Sequence, residues 1–117
     1  MNLIYEAGLS ELISFLTALL NEAFRPYGRV FRGRWRADSI EKEAKRAFES
    51  AMKRPPLCPY EGRRLSSFID NEVRKYLLTH THGFIYGPDL ASYGKEIGEK
   101  LEEIVVKTTT NIENANF

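Results

Sequence analysis

With 117 residues the chain is long enough for one modest hydrophobic core and too short for two, which excludes a two-domain cofactor-binding enzyme. Its 43% hydrophobic and 28% charged residues are those of an ordinary globular protein rather than a disordered or fibrous one, and 17 basic against 16 acidic residues leave a net charge of +1. A single cysteine, Cys58, rules out an internal disulfide, a Cys-rich zinc cluster and a Cys-x-x-Cys redox pair, and suits a reducing cytoplasm.

The most apolar stretch, Leu12 to Phe24, is interrupted by Ser14, Thr17, Asn21 and Glu22 and falls short of the roughly 20 apolar residues that span a bilayer. No basic segment precedes it, so neither a membrane anchor nor a signal peptide is expected, and the chain is assigned to the cytosol. After a short apolar start, Asn2 to Tyr5, apolar residues at 12, 13, 15, 16, 19, 20, 23 and 24 predict a well-buried first helix over Ser10 to Arg25. Arg25-Pro26 ends it, because the residue before proline is pushed out of the α region. A loop or extended segment follows to Arg36. Asp38, with Glu41 three positions on, opens an alanine-rich second helix whose stripe is Ile40, Ala44, Ala47, Phe48, Ala51 and Met52. Pro55 to Pro59 reads as a stiff linker. The third helix is predicted from about Glu61 to His80, with Leu65, Phe68, Ile69, Val73, Tyr76 and Leu77 on its buried face and Gly83 as a stop. Gly87-Pro88-Asp89 signals a fourth helix carried by Leu90, Tyr93, Ile97, Leu101, Ile104 and Val105, in which Gly94 and Gly98 suit close packing of another backbone. The fold expected is all-α, a compact bundle of four main helices over residues 1–107 with a polar, frayed tail at 108–117.

The near-balance of charge hides three blocks. Residues 1–24 carry no base and three acids; residues 25–75 hold ten arginines and four lysines against seven acids, a net of +7; residues 76–117 return to −3. Within the basic block, Arg25, Arg29, Arg32, Arg34 and Arg36 alternate with Tyr27, Phe31 and Trp35 in twelve residues without an acid. Guanidinium groups pair with phosphates and aromatic faces stack on exposed bases, so this is the composition of a nucleic-acid contact loop. The other readings are that the aromatics close the end of the bundle while the arginines reach into solvent, or that the loop meets an acidic protein partner. Lys42, Arg46 and Lys53 on the second helix, with Glu49 among them, and Arg63, Arg64, Arg74 and Lys75 on the third, with Asp70 and Glu72 between, would be ordinary solvated faces on their own. Adjacency to the arginine loop makes them candidates for the same interface.

Arg74 and His80, six apart near a helix end, resemble the arginine and histidine of the HEPN family of helical ribonucleases, which act on the ribose 2′-hydroxyl. Here Lys75 stands in the place of that family's usual polar residue, and His80 falls within the apolar stripe, where a core or capping histidine is the competing reading. His80-Thr-His82 matches the His-x-His metal element of rolling-circle nucleases as a bare string, without the sheet those enzymes require. Glu96, Glu99, Glu102 and Glu103 read as a solvated face, and Cys58 as a small packed residue; no cofactor or metal site is expected.

The order of elements carries a further resemblance: Leu16-Thr-Ala-Leu-Leu-Asn-Glu-Ala-Phe24, the aromatic-arginine loop, Ser39-Ile40 opening an alanine-rich helix, Leu65-Ser-Ser-Phe-Ile-Asp-Asn-Glu-Val73, and a final helix. Over roughly residues 16–105 it resembles the C-terminal helical domain of the large subunit of type I-D CRISPR surveillance complexes, which is also made separately as a small subunit. That resemblance implies a non-catalytic helical subunit, present in several copies beside other subunits, whose basic face holds single-stranded DNA or RNA with little sequence preference and no membrane contact. A HEPN-like ribonuclease and a protein adaptor are the alternatives.

Overall fold

A computed structural model describes residues 3–25, 38–80 and 89–115, with backbone alone for 38 and 76–80. Four α-helices follow one another: α1 (Leu3–Phe24), α2 (Asp38–Lys53), α3 (Cys58–His80) and α4 (Gly94–Ala115). Single 3-10 turns, Pro55–Leu57 and Leu90–Tyr93, lead into α3 and α4. Among the described residues there is no strand. Both α1 and α3 pack on α2 and α4, so they take opposite corners of the bundle, while α2 and α4 also meet.

The core follows the apolar spacing. Leu12, Leu16 and Leu20 of α1, Ala44, Ala47, Phe48 and Ala51 of α2, Leu65 and Ile69 of α3, and Ile97, Leu101, Ile104 and Val105 of α4 are all buried. The alanines of α2 let its neighbours approach closely around Phe48, the largest fully buried side chain. Glycines set the closest approach. A Cβ on Gly62 of α3 would strike the backbone of Gly94 and Gly98 on α4, so these three residues let two helix backbones touch. The close-packing role expected of Gly94 and Gly98 is thus realised, with Gly62 as the unforeseen partner.

Three boundaries differ from the expectation. The first helix starts at Leu3, not Ser10, because Gly8 does not interrupt it: Gly8 and Leu9 are buried, and the Tyr5 ring lies 4.9 Å from that of Phe48. The presumed proline linker is helical, with the Leu57 amide donating to the Arg54 carbonyl at 2.8 Å, and α3 begins at Cys58; Pro59 suits a first turn, where an amide hydrogen has no intrahelical partner. The fourth helix runs through the expected frayed tail to Ala115. Thr108 is buried against Gly8, where a larger residue would collide with it, and the Thr109 hydroxyl lies 3.9 Å from the Met52 sulfur.

At 22 residues and a mean hydropathy of 1.5 over its most apolar window, α1 is long and apolar enough to cross a membrane by length and composition, which the expectation drawn from Leu12–Phe24 alone did not allow. In the bundle its leucine face packs inward, and Glu6, Ser10, Ser14, Thr17, Asn21 and Glu22 lie outside.

Candidate nucleic-acid interface

The arginine loop supplies the interface with Arg25 alone among the described residues, exposed at the end of α1 and donating to Glu22 at 2.6 Å; Arg29, Arg32, Arg34, Trp35 and Arg36 lie outside them. On α2, Lys42 and Lys53 are exposed. Arg46 departs from them. Its Nε donates to Glu43 at 2.6 Å and an Nη to Glu61 at 2.8 Å, and Glu61, on α3, is buried. Those hydrogen bonds, the one to Glu61 first, hold the guanidinium still more firmly protonated. Arg46 is an interhelical clamp and not a solvent-facing base.

On α3 the structure sorts charges that the sequence interleaves. Its three acids are turned inward or tied down. Glu61 meets Arg46; buried Asp70 accepts from the Leu90 amide at 3.2 Å and from Arg74 Nε at 2.8 Å; half-buried Glu72 accepts from the Ser39 hydroxyl and from Lys75, both at 3.3 Å. The exposed positions from Cys58 to Lys75 carry no acid: Pro59, Tyr60, Arg63, Arg64, Ser67, Asn71, Arg74 and Lys75. From Tyr60 onward they recur at three- and four-residue steps, which places them on one stripe roughly 22 Å long.

The bases on this stripe are not equivalent. Arg74 and Lys75 each hold a carboxylate, and hydrogen bonding to Asp70 strengthens the protonated state of Arg74. Arg64 reaches Glu43 at 3.4 Å and sets its guanidinium 5.9 Å from the centre of the Tyr60 ring, within cation–π range. The guanidinium of Arg63 has no carboxylate partner among the described residues, and it stands between two surface depressions. One, of about 370 Å³, lies over α3 toward Glu43 of α2; the other, of about 320 Å³, runs along the α3–α4 seam beside Lys95, Glu99 and Glu102.

Tyr60, Ser67, Phe68 and Asn71 were absent from the sequence-based candidates. The signal was the helical wheel itself, once the helix is begun at Cys58. Phe68 was assigned to the core and is only half-buried, at the floor of the first depression. By contrast, Glu96, Glu99, Glu102 and Glu103 are exposed on α4, the solvated face expected of them.

The catalytic alternative turns on His80, which ends α3 and whose side chain, like His82, lies outside those described. Among the described residues no three His, Cys, Asp or Glu side chains are grouped to hold a metal ion. Cys58 is buried, and that burial pushes its thiol upward, away from the reactive thiolate, as befits a packing residue. No family model matches the chain, and neither a curated protein nor a solved structure is significantly similar to it.

Proposed function

We propose that the protein is a non-catalytic nucleic-acid-binding module whose contact surface is the outer stripe of α3, extended by Lys42, Lys53 and the arginine loop. The observation that carries this reading is the sorting on α3: four bases and a tyrosine are exposed, while Glu61 and Asp70 are buried and half-buried Glu72 is tied to Ser39 and Lys75. Backbone phosphates need outward cations at a repeating spacing, and unpaired bases need an aromatic face beside them. The stripe offers both. Its main rival, an acidic protein partner, would be served by the charges alone.

The resemblance over residues 16–105 supports a finer reading, the small subunit of a cytoplasmic CRISPR ribonucleoprotein complex, working in copies beside larger subunits. Purification from the native host, with the co-purifying RNA and proteins identified, tests that assignment.

Titration of a single-stranded oligonucleotide at several salt concentrations tests the binding itself. Each neutralised phosphate contributes roughly 0.7 to the fall of log affinity with log salt, so replacing Arg63 and Lys75 by alanine should shallow the slope by about 1.4. An unchanged slope together with loss of a protein partner would assign the surface to an adaptor. Cleavage of RNA that Arg74→Ala and His80→Ala both abolish would assign it to a ribonuclease.

A further inference from the structure

The larger depression on α3 has a chemistry that a row of cations does not require. Tyr60 is about half exposed, at 49%, and forms one wall, while the half-buried Phe68 ring contributes apolar floor. The Arg64 guanidinium lies near the Tyr60 ring and is tethered to Glu43, which Arg46 also holds. Asn71 brings an exposed amide, able to donate and to accept, and Ser67 a hydroxyl. Arg63 closes the rim with a guanidinium that has no carboxylate partner among the described residues. At about 370 Å³ and widely open to solvent, the depression is a shallow surface groove, with room for a planar group laid against its side rather than an enclosed ligand.

A flat, partly apolar wall, an edge-reading amide and an anion-binding rim together fit one unpaired nucleobase with its phosphate. We propose that this groove receives a single base of a bound strand, stacked against Tyr60 and Arg64, with its edge toward Asn71 and its flanking phosphate on Arg63. The inference rests on the nucleic-acid reading and deepens it: the stripe is not a uniform cationic track but has one seat for a base. A duplex, whose bases are already stacked and paired, cannot fill that seat.

The test uses the full chain and an oligothymidine carrying one fluorescent adenine analogue, with affinity read by anisotropy and stacking by the analogue's emission. Binding by the wild type should change the emission. Tyr60→Ala should abolish that change and weaken affinity about 5- to 150-fold while leaving the salt slope intact, and Tyr60→Phe should restore both. Because Tyr60 is half exposed, Tyr60→Ala should fold, which circular dichroism verifies. If Tyr60→Ala binds as the wild type does with the same emission change, the base seat is refuted and the cationic stripe stands. If no oligonucleotide binds the wild type, both fall. Occupation of the groove by an acidic peptide, with no emission change on adding oligonucleotide, would overturn the proposal in favour of a protein ligand.

Discussion

Among the described residues Glu61 is the most deeply buried charged side chain. Its carboxylate is almost wholly buried and depends on Arg46, itself about one-third exposed. Removing one partner of a buried pair costs about 3–5 kcal/mol, and access of water to the Arg46 side should lower that figure here. Arg46→Ala is therefore expected to destabilise the protein by about 2–3 kcal/mol in urea denaturation, whereas Lys42→Ala, exposed on the same helix, should stay within about 0.5 kcal/mol. The contrast separates two residues that look alike in the sequence. Both lie on the polar side of an alanine-rich stripe, and which of them turns to a neighbouring helix depends on where that neighbour puts an acid. Periodicity within one element cannot supply that. Nor could it reveal that Asp70 and Glu72 would be held by Leu90, Arg74, Ser39 and Lys75 and leave the outer stripe free of acids.

At the scale of elements, the α3–α4 contact is set by glycine. Alanine at Gly62 would gain helix propensity of about 1 kcal/mol, but its Cβ meets rigid backbone on α4 rather than a flexible side chain. The clash should win. Gly62→Ala should lower stability by about 1–3 kcal/mol, and a stabilised variant in thermal unfolding would show that the helices do not touch there. The α1–α4 contact has an ionic component instead. Glu11 accepts from Lys107 at 2.6 Å and lies 3.7 Å from Lys100. The hydrogen bond from Lys107, with the positive charges of both lysines, holds the Glu11 carboxyl below its ordinary range against an opposing contribution from burial. A carboxyl lowered by folding adds stability that is present above its unfolded value and disappears as pH falls through the folded one. Glu11→Gln should therefore cost up to about 1 kcal/mol at neutral pH, and the difference from wild type should close as the pH is taken below 4.5. Much of this level was legible in advance. The α2 stripe is realised apart from half-buried Met52, and the fourth stripe is realised with Leu90 and half-buried Tyr93 on the 3-10 turn that precedes α4 rather than on the helix itself. The ends were not legible, since Tyr5 and Gly8 meet Phe48 and Thr108, and Thr109 meets Met52, tertiary contacts that local composition does not record.

For the whole molecule the core rests on Phe48, which touches the start of α1 and lies beside the α1–α4 junction at Gly8 and Thr108. Phe48→Ala should cost about 3–5 kcal/mol, the value for a fully buried ring. Phe68→Ala, at a surface depression, should cost less than about half of that, so a pair of denaturation curves distinguishes core from groove.

The α3–α4 seam has one more consequence. Arg63 on one bank of it faces Glu99 and Glu102 on the other, across a floor that includes Pro59 and Gly98. At physiological ionic strength a charge is felt over about 8 Å, less than the width of a helix, so a passing phosphate senses one bank at a time and not the net charge of +1. A strand lying along α3 that drifts over the seam would leave the arginines for a bank where two carboxylates, Glu99 and Glu102, outnumber one lysine, Lys95. Its lateral freedom is thus limited on that side only. If the proposed strand binds there, movement along the helix axis would stay open, and the acids of α4 would act as a kerb favouring the flank nearer α2.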